Sequence, residues 1–210
     1  MGGNMFQRKM RRLSMLLVGA VTTTSIAFSG AAHAATDDPK PPRPEPRPDS
    51  ARLLGIMTLG PHLIRNKLTE KCIDIPGTGN GKIDGPVQQH SCIYDLNGDN
   101  QYFYLDDLGI GDGYFNIRNV KDGLCLDVPY YGWVPPTTPV SEYTCDYTYS
   151  DNQLFYMEFT PSGYIWIRHR NTDFCLDVAG FNGSGGEDAR LTLYPCNLLD
   201  DHEWSLRTNS

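Results

Sequence analysis

Six cysteines recur at a regular spacing along the chain, and this pattern constrains the fold more than any other feature. The second cysteine of each pair follows the first by 20, 20 and 21 positions. Eight residues before each first cysteine stands an isoleucine in a similar segment, and a short segment ending in an aromatic residue follows each second cysteine. Four landmarks in the same order, three times, predict an internal repeat of roughly fifty residues. The landmarks are Leu63–Asn66, Cys72, Cys92 and Gln101–Phe103; Asn116–Asn119, Cys125, Cys145 and Gln153–Phe155; and Trp166–His169, Cys175, Cys196 and His202–Trp204.

The repeat also predicts how the cysteines pair. Six cysteines allow 15 pairings, but a threefold repeat selects the one in which each repeat closes its own bridge. Each bridge closes a loop worth about 3 kcal/mol in the loop-entropy model. A zinc site is the competing interpretation, and it is disfavoured because no Cys-x-x-Cys pair occurs. The predicted disulfides are Cys72–Cys92, Cys125–Cys145 and Cys175–Cys196.

A Cys-apolar-Asp-apolar motif begins with the first cysteine of each repeat and reads as a β-strand. Side chains alternate between the two faces of a strand, so the apolar residues of each motif share one face, which we expect to be core. The cysteine and the aspartate share the other face, which places Asp74, Asp127 and Asp177 at equivalent outward positions. Gly- and Pro-rich turns separate the strands, and no segment shows a helical period. We therefore expect an all-β domain.

The N-terminal segment predicts export. Four basic residues precede an apolar stretch that ends in Ala32-His33-Ala34, the pattern of a cleaved signal peptide. Residues 1–34 are therefore predicted to be a signal peptide, and residues 35–57 a Pro-rich, semi-rigid linker. Residues 58–210 form the predicted domain. The expected location is outside the cell, without membrane insertion.

Charge and motifs exclude several classes of function. The full chain carries a net charge of −7. The predicted signal peptide contains basic residues but no acidic ones, so its removal would leave a mature chain with a larger negative charge. Nucleic-acid binding, which needs a basic surface, is disfavoured. No serine-hydrolase elbow, phosphate-binding loop or zinc-protease helix occurs. We expect no enzyme activity, no cofactor and no metal, and the calcium-like segment at Asp95 reads as a turn.

These landmarks resemble the ricin B-type lectins, which include the family-13 carbohydrate-binding modules of secreted bacterial glycosidases. The resemblance covers the whole predicted domain and implies a β-trefoil, three lobes of about four strands around a pseudo-threefold axis. It also implies that the family's Gln-x-Trp motif packs inside the domain. The corresponding residues are Gln101 and Phe103, Gln153 and Phe155, and His202 and Trp204.

The resemblance further implies where a sugar would bind in each repeat. A carboxylate accepts bonds from sugar hydroxyls, an aromatic ring stacks on the apolar face of the sugar, and amides complete the contacts. The implied residues are Asp74, Gln88, His90 and Asn100; Asp127, Ser141, Tyr143 and Asn152; and Asp177, Thr192, Tyr194 and Asp201. His90 replaces the expected aromatic in the first repeat, and Asp201 the expected amide in the third. Tyr130, Tyr131 and Trp133 add aromatic surface to the second.

The function that follows is a secreted lectin whose partner is a glycan or polysaccharide of the galactose or xylose type, bound at up to three shallow sites. A glycosidase is disfavoured because symmetry-related aspartates lie too far apart to act together. Two other interpretations stay open. The aspartates could simply hydrogen-bond turn backbone, and the domain could bind protein, as a protease inhibitor or as the receptor-recognition subunit of a multi-chain toxin with a separate partner chain.

Overall fold

The computed structural model describes residues 55–109 and 111–208. The predicted signal peptide and nearly all of the predicted linker lie outside these residues. The described chain contains 13 β-strands, and no helix within it is long and apolar enough to cross a membrane. The strands are β1 Met57–Asn66, β2 Cys72–Asp74, β3 Gln88–His90, β4 Tyr102–Asp107, β5 Phe115–Asn119, β6 Cys125–Asp127, β7 Thr138–Pro139, β8 Ser141–Tyr143, β9 Phe155–Phe159, β10 Ile165–His169, β11 Cys175–Val178, β12 Leu191–Tyr194 and β13 Glu203–Arg207.

Six of the strands close into a barrel. Antiparallel pairing runs from β1 to β4, β5, β9, β10 and β13, and β13 returns to β1. Closure removes the exposed strand edges that an open sheet would leave. Three hairpins, β2–β3, β6–β8 and β11–β12, are each joined to one barrel strand. The architecture is the predicted β-trefoil, and each repeat forms one lobe.

The core lies inside the barrel and under the hairpins. The apolar residues of the Cys-apolar-Asp-apolar motifs are buried, as their alternation predicted, and they belong to one continuous cluster with the aromatic residues of the Gln-x-Trp segments. Phe103, Phe155 and Trp204 are each fully buried. The indole of Trp204 also donates a hydrogen bond to the carbonyl of Leu176, so the third lobe anchors its hairpin directly to the barrel.

Each lobe closes its own disulfide. The bonds are Cys72–Cys92, Cys125–Cys145 and Cys175–Cys196, and no cysteine is free. The pairing predicted from the repeat is confirmed. Each bond ties the first hairpin strand to the segment that leads back to the barrel.

Candidate functional site

The three hairpins share one register, which places equivalent residues together in each lobe. In every hairpin the aspartate of the first strand lies opposite a polar residue of the second, and the preceding cysteine lies opposite the ring residue. Because these two pairs are two residues apart, they face the same side of the hairpin. The opposed pairs are Asp74–Gln88 and Cys72–His90, Asp127–Ser141 and Cys125–Tyr143, and Asp177–Thr192 and Cys175–Tyr194.

The three aspartates are buried, which corrects the expectation that they point outward. Asp74, Asp127 and Asp177 have exposed fractions of 3%, 0% and 4%. They do lie on the face opposite the apolar core residues, as predicted, but the chain that returns to the barrel covers that face. Alternation in a strand reports which side a residue occupies and not whether another segment covers that side.

The covering segment is the Gln-x-Trp motif, whose first residue holds the aspartate in every lobe. Gln101 Nε2 donates to Asp74 Oδ1 at 3.0 Å, and Gln153 Nε2 donates to Asp127 Oδ1 at 3.1 Å. Both glutamine side chains also donate a hydrogen bond to a backbone carbonyl just after the second strand of the hairpin. The resemblance implied separate roles for the Gln-x-Trp residues, which pack inside, and for the aspartates, which would bind sugar. In the structure the two are hydrogen-bonded to each other.

His202 takes the place of the motif glutamine in the third lobe. Its Nδ1 accepts a hydrogen bond from the backbone N–H of Asn197, and its Nε2 lies 2.9 Å from Asp177 Oδ1. Since Nδ1 is an acceptor, the ring hydrogen is on Nε2 and is donated to Asp177. The imidazole therefore reproduces the contact that the glutamine amide makes elsewhere.

The residue before the motif glutamine fastens the loop that follows the aspartate strand. Asn100 Nδ2 donates to the carbonyls of Gly77 and Gly79, and Asn152 Oδ1 accepts from the N–H of Gly132 at 3.0 Å. Asp201 in the third lobe accepts from two backbone N–H groups, those of Val178 and Gly183. These three side chains are buried, so their main contacts are with the protein's own loop.

A further aspartate in each lobe escaped sequence reasoning. Asp99, Asp151 and Asp200 are buried, and each accepts a hydrogen bond from the N–H of the residue that follows it. Asp200 also accepts from the N–H of Asn182 at 2.6 Å. The sequence contained a signal for them, because an aspartate stands two residues before the first residue of the Gln-x-Trp segment in all three repeats.

In the first lobe, the polar side chains that were expected to contact a ligand are hydrogen-bonded to a loop of the third lobe. Gln88 Nε2 donates to Asp74 and also to Asp188 at 3.1 Å. His90 Nδ1 lies 2.9 Å from Asp188 Oδ1 and 3.1 Å from Glu187 Oε2. The hydrogen bond with Asp188 raises the pKa of His90 above its usual value. Both amide hydrogens of Gln88 are thus used within the protein.

The second lobe presents the largest aromatic surface. Tyr130, Tyr131 and Trp133 are 45%, 44% and 66% exposed, which confirms the exposure predicted for this loop. Tyr143 is partly exposed on the hairpin itself. Because Asn152 bonds Gly132, the loop that carries these rings is fastened beside Asp127.

The third lobe carries a similar pair of rings, one of which the sequence analysis missed. Tyr194 is 40% exposed on the hairpin, and Phe181 is 63% exposed in the loop. Phe181 stands four residues after Asp177, as Tyr131 stands four after Asp127, and that spacing was the available signal.

In the same lobe the pKa of Asp201 is raised, mainly by burial and then by the neighbouring carboxylate of Asp177.

Among the residues that the structure describes, two clusters of three or more acidic or histidine side chains lie close enough together to hold a metal ion. Asp177, Asp200, Asp201 and His202 form one, and His90, Glu187 and Asp188 form the other. In the first group, His202 Nε2 carries the hydrogen donated to Asp177, and Asp200 and Asp201 accept bonds from backbone N–H groups. Their hydrogen bonds already serve the loop, so this group fits a structural role better than a metal site.

A barrel with three equivalent hairpin sites, each combining a held carboxylate with a nearby ring, defines a β-trefoil binding domain. The family described as "Ricin-type beta-trefoil lectin domain-like" matches residues 58–141 and 99–194, which cover more than half of the chain. The chain therefore belongs to the ricin-type β-trefoil lectin domain-like family, and this membership supports carbohydrate binding. No curated protein sequence matches the chain.

Solved structures with the same fold include lectins and a domain of an enzyme. The designed threefold-symmetric protein ThreeFoil shares 24% identity with a TM-score of 0.59, over 69% of this chain and 96% of that one. The Macrolepiota procera ricin B-like lectin, solved with lactose, shares 14% with a TM-score of 0.55, over 72% and 95%. An exo-β-1,3-galactanase from Clostridium thermocellum shares 23% with a TM-score of 0.59, over 70% of this chain but only 30% of the enzyme.

Proposed function

We propose that this protein is an exported lectin without enzyme activity that binds neutral galactose- or xylose-type glycans at shallow hairpin sites. The observation that carries the proposal is the second lobe, where a carboxylate held by Gln153 and a partly exposed tyrosine share one hairpin, next to an exposed aromatic loop. Rings of this kind stack on the apolar face of a sugar.

The lobes differ in how well they suit this role. The second and third lobes each combine a partly exposed hairpin tyrosine with an exposed ring in the loop. The first lobe has His90 in place of the tyrosine, and Asp188 is bonded to its polar groups. We therefore assign the stronger binding to the second and third lobes and the weaker to the first.

Three further observations support the other parts of the proposal. The pairing of all six cysteines suits an oxidising compartment outside the cell. The excess of acidic residues suits an uncharged ligand better than a phosphate polymer. The lactose complex of the Macrolepiota procera lectin and the galactan-degrading activity named for the Clostridium enzyme both concern galactose-containing glycans.

The test uses the aromatic residues and leaves the buried carboxylates intact. A glycan array identifies a ligand, and its affinity is then measured for wild type and for a Tyr131→Ala, Tyr143→Ala double variant. Each lost stacking contact is worth about 0.5–1.5 kcal/mol, so we expect the affinity of the second lobe to fall by about ten-fold or more.

The matched control is Tyr94→Ala, which removes a tyrosine that is 59% exposed outside the three hairpins. We expect it to bind as wild type does. Equal loss in the control, or wild-type affinity in the double variant, would contradict the proposed site. A wild-type protein that binds no glycan on the array but retains a protein partner would favour the alternative, a protein-binding trefoil.

A further inference from the structure

The carboxylate of Glu142 is buried between the first and second lobes without a partner. Glu142 lies on β8 with an exposed fraction of 0%, and neither of its carboxylate oxygens has a hydrogen-bond partner. The loop after β2 covers it, because Asp84 N–H donates to the Glu142 carbonyl and Glu142 N–H donates to the Gly85 carbonyl. A buried carboxylate without a partner costs several kcal/mol, so something is expected to compensate it.

A second carboxylate faces the same point. Asp122 Oδ2 accepts a hydrogen bond from the N–H of Gly81 at 2.7 Å. A Cβ added to Gly81 would overlap Glu142 Oε2 and would lie 3.0 Å from Asp122 Oδ2. The two oxygens therefore meet at the position of the missing Gly81 side chain. Burial, together with the negative charge of Asp122, raises the pKa of Glu142 to about 8.

The first lobe shows how a neutral version of this contact is satisfied. Gln89, which precedes His90 as Glu142 precedes Tyr143, donates both amide hydrogens to the carbonyls of Gly185 and Gly186. Its Oε1 accepts from the hydroxyl of Thr69, and Thr69 stands three residues after Asn66 as Asp122 stands three after Asn119. In the second lobe an amide and a hydroxyl have thus been replaced by two acids.

With both carboxylates ionised, the replacement leaves no side-chain donor in the contact. Where Gln89 offers an NH₂ group to a neighbouring loop, Glu142 offers an oxygen, and where Thr69 offers a hydroxyl hydrogen, Asp122 offers a second carboxylate. A positive species at this point would take the place of the missing hydrogens. Glu142 also lines a groove of about 310 Å³ that is bordered by Asn80, Gly81 and Lys82.

We propose that Glu142 and Asp122 bind a hard divalent cation, of which Ca²⁺ is the best fit, at the junction of the first and second lobes. The donors at this point are carboxylate oxygens of Glu142 and Asp122, and oxygen donors select Ca²⁺ or Mg²⁺ over zinc or copper. An irregular loop suits the flexible coordination of Ca²⁺ better than the strict octahedron of Mg²⁺. This site is separate from the three hairpin sites proposed for glycans.

The test measures thermal unfolding and binding heat for the mature protein after chelator treatment, with CaCl₂ as the probe. Sites in extracellular modules bind Ca²⁺ with Kd of about 10⁻⁴–10⁻³ M, so about 10 mM Ca²⁺ should raise the Tm by roughly 5 °C. Glu142→Gln restores the amide that the first lobe carries, so this variant should fold. We expect it to lose the Ca²⁺-dependent shift and the saturable heat.

The control is Asp112→Asn, which removes one negative charge at an exposed position and should respond to Ca²⁺ as wild type does. Three results would overturn the proposal. They are no saturable heat with Ca²⁺ in wild type, an equal Ca²⁺ shift in Glu142→Gln, or a Tm that depends on pH alone, the last of which would mean that a proton compensates Glu142. Glycan binding is measured separately and does not affect either conclusion.

Discussion

At the scale of single residues, the candidate sites depend on hydrogen bonds that are made inside the protein. Asp74, Asp127 and Asp177 are held by Gln101, Gln153 and His202, so each carboxylate keeps one orientation before a ligand arrives. A preorganised acceptor loses less conformational entropy on binding than a mobile one. The same arrangement means that the aspartates contribute to folding.

Replacement of Asp127 by Ala should therefore destabilise the fold. It leaves Gln153 Nε2 without one of its two acceptors in a buried position, which costs about 1–3 kcal/mol. Urea unfolding of the variant should show a loss of that size, while Asp112→Ala, at an exposed position, should change stability by less than about 0.5 kcal/mol. A stability for Asp127→Ala equal to wild type would contradict the buried Gln–Asp contact.

His169 gives the fold a sensitivity to acid. It is buried where the other repeats have Asn66 and Asn119, and burial lowers its pKa from 6.5 to about 4. The unfolded chain therefore takes up the proton first, and stability is lost as the pH falls from 6.5 to 4. For this residue the loss is at most about 3 kcal/mol.

His169→Asn, which installs the residue of the other two repeats, should remove this part of the pH dependence. The comparison is the free energy of unfolding at pH 7 and at pH 4.5 for both proteins. We expect the variant to lose less stability between the two pH values than wild type. An identical loss in both would show that His169 does not titrate in this range.

At the scale of elements, one hairpin geometry is repeated and the loops around it make the lobes different. The register is the same in all three hairpins, since a one-residue shift would move the apolar side chains out of the core. The loop after the first hairpin strand has no such constraint. It carries rings in the second and third lobes, and in the third it also extends Glu187 and Asp188 to the first.

Asp188→Asn should weaken this contact, because it removes the negative charge and keeps the Oδ1 acceptor. Since the hydrogen bond with Asp188 is the main cause that raises the pKa of His90, we expect the pKa to fall toward its usual value. An imidazole titration followed by NMR would measure this, with His62 as an internal reference in the same lobe. A pKa of His90 that did not change would contradict the inter-lobe contact.

At the scale of the whole molecule, the three candidate sites on one barrel point in different directions around the pseudo-threefold axis. A short sugar can occupy only one of them, whereas a branched or polymeric glycan can reach two. Simultaneous binding at two sites can increase affinity by about 10²–10⁴-fold without any new contact. Weak individual sites are therefore compatible with firm attachment to a polysaccharide.

Tyr194→Ala should remove most of the gain that wild type shows for a polysaccharide over its monosaccharide, because one of the two stronger lobes is lost. The affinity of the second lobe for the monosaccharide, measured by calorimetry, should change little. A variant with an unchanged ratio of polymer to monosaccharide affinity would indicate a single working site.

Much of the fold could be predicted from the sequence because each feature recurs in all three repeats. The pairing of the cysteines and the apolar core face follow from period and spacing, whereas the burial of the aromatic residues at 103, 155 and 204 followed from the family resemblance. The structure confirms all three. Phe181 and the aspartates at 99, 151 and 200 also obeyed the repeat, so a stricter alignment would have found them. Local periodicity carries this information because strand geometry is local.

What the sequence alone determined is the threefold plan and the position of each carboxylate and ring along its hairpin. Only the tertiary structure decided that the aspartates are covered, that Asp188 reaches Gln88 and His90, and that Glu142 and Asp122 converge on Gly81. These contacts join residues from different lobes or from opposite ends of one repeat. Alternation and spacing describe a strand and its neighbours, but burial and charge pairing depend on which distant loop packs against them.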